Sequence, residues 1–171
     1  EDNSIHYLNH FFPGGADTPN IKKMAKNGIT YDNAFSNAPV CSVARSTLIS
    51  GCYAPRIGTQ YHRKTSMAPM PEGVRMFPSY LRDKGYYTTN RSKTDYNAVP
   101  GKGVWHESSG KAHWRKRNEG QPFFHKASYA TSHESSLHFT ARAMESQPTK
   151  HDPDSVRLAP YHPDTPTFRY T

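Results

Sequence analysis

A cysteine and an arginine four residues apart have the chemistry of a small reactive site near position 41. Cys41 stands just before, or at, the start of a predicted helix, where unpaired N–H groups and the helix dipole favour negative charge. Arg45 lies one helical turn further on, on the same face. This combination suits a sulfate or phosphate ester. A small buried thiol beside a surface arginine explains the same spacing, which alone favours that simpler interpretation.

Predicted helices and strands alternate along the chain and would position these side chains. Capping residues and glycine stops predict helices over residues 19–27, 43–50 and 78–84. Apolar and β-branched runs predict strands over residues 29–35, 86–91 and 123–130. Residues 97–120 and those after 147 are predicted to be loops. The order predicts an α/β fold, with Cys41, residues 91–95 and residues 131–136 at the carboxyl edge of the sheet.

The composition indicates an ordered protein with a small core. The chain has 171 residues, a formal charge of +8 and 34% hydrophobic residues (AVILMFWYC). The set used for average proteins counts Gly in place of Tyr, and the percentage stays the same because the chain has 11 of each. The usual share is roughly 45–50%, and a low share with excess positive charge is also typical of disorder. Aromatic residues spread through patterned segments favour order. No apolar run approaches the roughly 18 residues of a membrane span, and the polar first residues show no signal peptide.

Cysteine and histidine usage excludes several classes of site. Cys41 and Cys52 are too few for a disulfide scaffold or a cysteine-based zinc site, although one bridge between them stays open. Six of the ten histidines have no recognised zinc-ligand spacing, namely His6, His10, His106, His113, His151 and His162. His62 is equally compatible with a substrate site and a structural role. The basic stretch 111–117 is better explained as a solvated loop than as a nucleic-acid site.

The segment 39–51 resembles the signature of formylglycine-dependent sulfatases, which is Cys-X-Pro/Ala-X-Arg followed by a helical stretch ending in Gly. Cys41, Arg45 and Gly51 match this signature, whereas Val43 stands where the family usually has Pro or Ala. Members of the family oxidise the cysteine to formylglycine, whose hydrated aldehyde is the nucleophile. The resemblance therefore implies a nucleophile made from Cys41.

Further segments resemble the same family in the same order, so the resemblance covers nearly the whole chain. They are Thr18–Gly28, Ala54–Arg56 with His62, Tyr80–Thr88, Ser92–Asp95, and Phe123–Phe124 with Ser132–Glu134. The catalytic lysine would be Lys93, in a segment where the family usually has Gly-Lys-X-His, so Ser92 and Asp95 depart from the pattern. Residues 156–167 are most similar to the sulfamidase (N-sulfoglucosamine sulfohydrolase) branch.

The resemblance implies a fold and a set of site residues. The fold would be alkaline-phosphatase-like α/β, a mixed sheet with flanking helices, with residues 1–171 as an N-terminal portion of the catalytic domain and no C-terminal domain. The implied catalytic residues are Cys41, Arg45, Lys93 and His133. The implied substrate-binding residues are His62 and Asp95. The implied Ca²⁺ ligands are Glu1, which replaces the usual first Asp, Asp2 and the modified Cys41.

The implied activity is hydrolysis of sulfuric esters or sulfamates of a sulfated carbohydrate, which fits the charge of +8. The implied partner is a formylglycine-generating enzyme, and the implied location is periplasmic, secreted or lysosomal-like. Neither a nucleic-acid partner nor a membrane span is expected. Two alternatives remain: a phosphoesterase or phosphonate hydrolase of the same superfamily, and a non-catalytic basic anion-binding module. Because core strands and metal ligands are missing, we expect weak or no activity from the 171 residues alone.

Overall fold

A three-stranded parallel sheet lies in the second half of the chain. The structure is a computed structural model that describes residues 3–63, 65–147, 149 and 152–170. The strands are β1 (Tyr87–Arg91), β2 (Glu107–Ser108) and β3 (Phe123–Ala127), in the order β2-β1-β3. In the register, Thr89 of β1 lies opposite Glu107 on one side and His125 on the other. The central position of β1 explains why its residues Thr88, Thr89 and Asn90 are fully buried.

Five α-helices and five short 3₁₀ helices are present in the described residues. The α-helices are α1 (Pro19–Lys26), α2 (Cys41–Ser50), α3 (Pro78–Asp83), α4 (Ala141–Ser146) and α5 (Pro166–Tyr170). The 3₁₀ helices are Ile5–Tyr7, Ala54–Ile57, Trp114–Lys116, Glu134–Leu137 and Pro153–Ser155. Helix α2 ends at Gly51, whose φ of 67° is readily adopted by glycine and whose N–H donates to the Thr47 carbonyl at 2.8 Å.

Most predicted elements agree with the structure. Helix α2 begins two residues earlier than predicted, and β3 ends three residues earlier. The predicted loop 97–120 contains β2 and a 3₁₀ helix, and the segment after 147 contains two short helices. Helices beside a parallel sheet confirm the α/β class, and all three strands run parallel.

The predicted strand over residues 29–35 is wrong. The structure has no strand there, and Ile29 and Phe35 are 80% and 89% exposed. The segment has a suitable run of apolar and aromatic residues, but a strand also needs a hydrogen-bonded neighbour. Without one, the run stays irregular and its apolar side chains face solvent.

The chain divides into two compact units. One unit comprises residues 1–31 and 129–171, and the other comprises residues 32–128. The second unit has a core of four buried residues, Ile49, Met76, Ala98 and Val104, against which Met70, Tyr96 and Trp105 pack. Every buried hydrophobic side chain of the described residues lies in this unit. The low hydrophobic content of the sequence is thus reflected in one small core.

Candidate functional site

Cys41 is the first residue of α2. Val40 before it is extended, with φ of −147° and ψ of 139°, so the helix begins abruptly at the cysteine. Ser42 and Val43 are buried, so the first turn of α2 packs against the interior of the second unit. The Cys41 thiol is free and half-buried. The structure therefore agrees with the expectation of a cysteine at a helix N-terminus, where partial positive charge favours an anion.

Arg45 connects α2 to the segment that contains the predicted lysine. Its Nη2 donates to the Lys93 backbone carbonyl at 2.5 Å, and its Nε donates to the Thr94 carbonyl at 2.8 Å. Both are charge-assisted hydrogen bonds. Arg45 therefore fixes the main chain at Lys93, a role that its spacing from Cys41 does not indicate.

Lys93 and Asp95 form part of an ion-paired group with Arg63. The Lys93 Nζ lies 3.8 Å from the Asp95 Oδ2. Arg63 donates from Nε and Nη2 to the two Asp95 carboxylate oxygens, at 3.2 and 3.1 Å. Burial opposes ionisation of Asp95, but the Arg63 hydrogen bonds and the charges of Arg63 and Lys93 outweigh it and hold its pKa below the usual range. Asp95 is thus a carboxylate at neutral pH.

His62 is held by the second residue of α2. The Ser42 hydroxyl lies 2.9 Å from the His62 Nδ1 and accepts the Arg63 backbone N–H at 3.1 Å. Ser42 is fully buried. The start of α2 therefore carries Cys41 and also positions residues 62 and 63, which the sequence leaves in an unassigned loop.

Asn97 joins the same segments through buried hydrogen bonds. Its side-chain amide donates to the Thr59 carbonyl at 3.1 Å and to the Tyr61 carbonyl, and its backbone N–H donates to the Ser46 hydroxyl at 2.9 Å. Because Asn97 is only 3% exposed, these bonds are shielded from water. Residues 59–61, residue 97 and α2 are therefore held together.

Lys126 is a site residue that the sequence reasoning missed. It lies in β3, and its Nζ donates to the Lys93 backbone carbonyl and, at 2.9 Å, to the Ser128 hydroxyl. Its place near the carboxyl end of a predicted strand was the available signal. We call Arg45, Arg63, Lys93, Lys126 and Asp95 the cationic cluster, since the group holds four cations and one carboxylate: Arg63 and Lys93 pair with Asp95, and Arg45 and Lys126 bind the Lys93 carbonyl. Such a cluster favours an anion.

His133 lies in the other unit, where it caps the 3₁₀ helix Glu134–Leu137. Its Nδ1 accepts the Ser135 backbone N–H at 3.2 Å. A backbone amide can only donate, so Nδ1 is the unprotonated nitrogen of the ring. In the neutral ring the proton is therefore on Nε2, which makes Nε2 a hydrogen-bond donor.

The described residues do not provide a complete set of ligands for the predicted calcium ion. In the part of the chain that the structure describes, no three His, Cys, Asp or Glu side chains form a group that could hold a metal ion. The predicted ligands Glu1 and Asp2 lie outside the described residues. The third predicted ligand, Cys41, therefore belongs to no such group among the described residues. Calcium binding therefore stays a prediction.

The structure also bears on the possible disulfide, the basic stretch 111–117 and a membrane span. Cys41 and Cys52 are both free thiols, so the possible bridge between them is absent. Trp114 of the basic stretch is covered by the chain's own groups, with the Phe123 ring stacked at 5.0 Å and the Arg115 and Arg117 guanidinium groups each 4.9 Å from its centroid. No described helix is long and apolar enough to cross a membrane.

Comparison with known proteins gives matches to sulfatases. A family model described as Sulfatase matches residues 1–112. An ulvan-active sulfatase of Formosa agariphila is 38% identical over 141 residues, which are 77% of this chain and 24% of that protein. The N-acetylgalactosamine-6-sulfatase of Homo sapiens is 30% identical over 79 residues, 41% of this chain and 15% of that protein. The chain thus spans about a quarter or less of the length of these two relatives.

A solved structure shares the fold. It is described as the structure of BT4656 in complex with its substrate D-glucosamine-2-N,6-O-disulfate. The TM-score is 0.57 at 17% sequence identity, over 74% of this chain and 32% of that one. The likeness agrees with an incomplete alkaline-phosphatase-like α/β fold, as predicted from the sequence.

Proposed function

The chain belongs to the sulfatase family, and from this premise we propose that its protein hydrolyses sulfate esters of a sulfated carbohydrate. One observation carries the proposal: Arg45 binds the Lys93 and Thr94 carbonyls and so brings the α2 N-terminus, with Cys41, to the cationic cluster. A helix N-terminus beside guanidinium and ammonium groups suits a sulfate ester.

The nucleophile of this proposal is residue 41. After Cys41 is oxidised to formylglycine, one hydroxyl of the hydrated aldehyde attacks sulfur, the S–O bond of the ester breaks, and the alcohol leaves. The second hydroxyl then loses its proton, the bond between carbon and the sulfate oxygen breaks, and sulfate is expelled as the aldehyde is regenerated. Cys41 suits this role because it is half-buried at the first turn of α2. The buried neighbours Ser42 and Val43 hold the backbone of that turn in place.

The other predicted residues bind the sulfate group and orient it. Lys93 donates to a sulfate oxygen, and Arg45 fixes the Lys93 main chain as well as orienting the hydrate. For His133 the resemblance implies a contact with sulfate or with the leaving group. Within its own unit, the His133 Nδ1 accepts a backbone N–H, so Nε2 is the ring nitrogen that would donate. His62 and Asp95 belong to the substrate-binding side of the site.

The proposal includes a cation and a maturation partner. Glu1, Asp2 and the modified residue 41 offer hard oxygen ligands to Ca²⁺, which would polarise sulfate oxygens. A formylglycine-generating enzyme would modify Cys41, and the location would be periplasmic, secreted or lysosomal-like.

We also propose that residues 1–171 form an N-terminal portion of the catalytic domain, with weak or no activity in isolation. The length of the relatives supports this, since the chain spans 24% of the ulvan-active sulfatase. A sulfatase assay on the isolated chain tests it, and full turnover would contradict it.

The central experiment expresses the natural full-length protein with a formylglycine-generating enzyme. Sulfate release from a sulfated glycan and an aryl sulfate is compared with phosphate release from the matching aryl phosphate. We expect the unsubstituted protein to release sulfate and Cys41→Ala to release none. Cys52→Ala should keep the activity, because Cys52 is a second free, half-buried thiol that takes no part in the proposed chemistry. Mass spectrometry of the Cys41 peptide should show a loss of about 18 Da, since an aldehyde oxygen replaces the thiol sulfur and two hydrogens.

Three results would contradict the proposal. Equal activity of Cys41→Ala and the unsubstituted protein would exclude Cys41 as the nucleophile. Phosphate release without sulfate release would support the phosphoesterase alternative. Anion binding without turnover, in a protein whose Cys41 is modified, would support a binding module.

A further inference from the structure

Two loop segments meet in a bidentate ion pair at the edge of the cationic cluster. From this pair we propose that Arg63 is a positioning residue of the sulfate site: it holds the Asp95 carboxylate, and Asp95 in turn holds the ammonium of Lys93. The inference rests on the proposed function, in which Lys93 binds a sulfate oxygen. It gives Asp95 a role through Lys93 in place of direct substrate binding.

The side-chain geometry gives the order of the contacts. Arg63 uses Nε and Nη2 on the two Asp95 oxygens, at 3.2 and 3.1 Å, which is the fork geometry that guanidinium forms with carboxylate. Lys93 lies 3.8 Å from Oδ2. The Asp95 and Lys93 side chains are 16% and 22% exposed, whereas Arg63 is 58% exposed. The carboxylate thus lies between a largely covered ammonium and a more exposed guanidinium.

The backbone on both sides of the pair is anchored to α2. Arg63 and Asp95 both have positive φ angles, 44° and 47°, which side chains other than glycine adopt infrequently. The Arg63 N–H donates to the Ser42 hydroxyl at 3.1 Å, and the Thr94 carbonyl accepts from Arg45. Residues 63 and 95 are therefore presented to each other by the same helix, so the ion pair belongs to the structure of the site.

Charge balance explains what Arg63 contributes. An ionised Asp95 attracts Lys93 and restricts a long side chain that would otherwise sample many rotamers. The same carboxylate repels a nearby sulfate. Arg63 neutralises it, so Asp95 can position Lys93 without opposing the anion. The lowered pKa of Asp95 keeps the carboxylate ionised at neutral pH.

This arrangement predicts a specific coupling between two substitutions. Arg63→Ala leaves the Asp95 charge paired with Lys93 alone, so the carboxylate offsets the Lys93 charge and weakens anion binding. Asp95→Asn removes the repulsion but also the group that positions Lys93, so it lowers kcat and leaves sulfate affinity unchanged or stronger. In the double variant, Asp95→Asn restores the sulfate affinity that Arg63→Ala loses. A direct contact between Arg63 and sulfate would give no such restoration.

The test measures the Kd of inorganic sulfate by calorimetry, together with KM and kcat for an aryl sulfate, in the natural full-length protein. We expect Arg63→Ala to raise the sulfate Kd about tenfold and the double variant to return it to within about threefold of the original. Arg63→Lys should give an intermediate Kd. Arg75→Ala is the matched control, since Arg75 pairs with Asp83 at 2.7 Å on the surface at α3, and it should change neither value.

Two results would overturn the inference: an unchanged Kd in Arg63→Ala, or equally weak binding by Arg63→Ala and the double variant. If Arg63→Ala does not fold, as judged by circular dichroism, the same comparison is made with Arg63→Lys and its double variant. The calorimetric arm separates this inference from the proposed function. If the double variant restores sulfate affinity but no ester is turned over, the result supports the role of Arg63 and Asp95 at an anion site. The same result contradicts only the proposed sulfatase activity.

Discussion

The Arg45 guanidinium donates a 2.5 Å hydrogen bond to the backbone carbonyl of Lys93. A residue one turn into α2 thereby fixes the main chain of a residue 48 positions later. The bond makes the α2 N-terminus and the cationic cluster one structural unit of the site. It also means that Arg45 acts on Lys93 as well as on any anion bound at Cys41.

Arg45→Lys should lower both stability and activity. A lysine ammonium cannot reproduce the planar fork that reaches the Lys93 and Thr94 carbonyls together, so at least one charge-assisted bond is lost. We expect the free energy of unfolding, measured with urea, to fall by about 1–2 kcal/mol. Arg75→Lys, in an exposed pair, should leave it nearly unchanged. Equal stability of Arg45→Lys and the unsubstituted chain would contradict the anchoring role.

Val43→Ala should lower the stability of the fold without lowering the conversion of Cys41 to formylglycine. Alanine restores the family signature, but Val43 is 1% exposed, so the substitution leaves a cavity under α2. We expect the free energy of unfolding to fall by about 1–3 kcal/mol, while the formylglycine fraction measured by mass spectrometry rises or stays equal. Leu48→Ala, on the same helix but 75% exposed, is the control and should be mild. A lower formylglycine fraction in a folded Val43→Ala would refute the prediction.

Asn97→Ala should loosen the segment that carries His62. The substitution removes the amide that donates to the Thr59 and Tyr61 carbonyls, and both carbonyls lose this buried donor. We expect the free energy of unfolding to fall by about 2–4 kcal/mol. Hydrogen exchange at residues 59–62 should also be faster. Asn118→Ala, at an exposed position, is the control. Unchanged exchange rates in Asn97→Ala would show that this segment is held by other contacts.

The protein should lose stability as pH falls through the histidine range. The Nδ1 of His106 accepts the Thr88 backbone N–H at 3.0 Å, which requires an unprotonated nitrogen. Burial, followed by the charge of Arg82, lowers the pKa of His106, and burial also lowers that of His125. The unfolded chain then binds more protons than the folded one, so stability rises with pH across this window.

The corresponding experiment is urea unfolding at a series of pH values. The loss should begin as pH falls through about 6.5, the ordinary histidine value, and be complete below the lowered pKa of the folded state. His106→Gln should show a shallower pH dependence. Stability that increases on acidification through this range would contradict the sign of both shifts.

The helices were predictable because their signals are local. Pro19 begins α1, Gly51 ends α2 with a positive φ, and Gly85 follows α3, each within a residue or two of its effect. The strand predicted over residues 29–35 failed because pairing depends on a distant partner. The same distinction applies to the site. Cys41 near a helix start was predictable, whereas Arg63 gave no local signal of its contacts and Lys126 gave only its place in a predicted strand.

The sequence by itself determined the class of fold, a helix starting close to Cys41, the spacing to Arg45 and the resemblance to sulfatases. These follow from residue types close together in the chain, where capping residues, glycine stops and periodicity govern the backbone. Only the tertiary structure decided that Arg45 binds the Lys93 carbonyl and that Arg63 neutralises Asp95. Those contacts join residues 32 to 48 positions apart. They form only when the folded chain brings α2, the loop at residue 63 and the segment after β1 to one place.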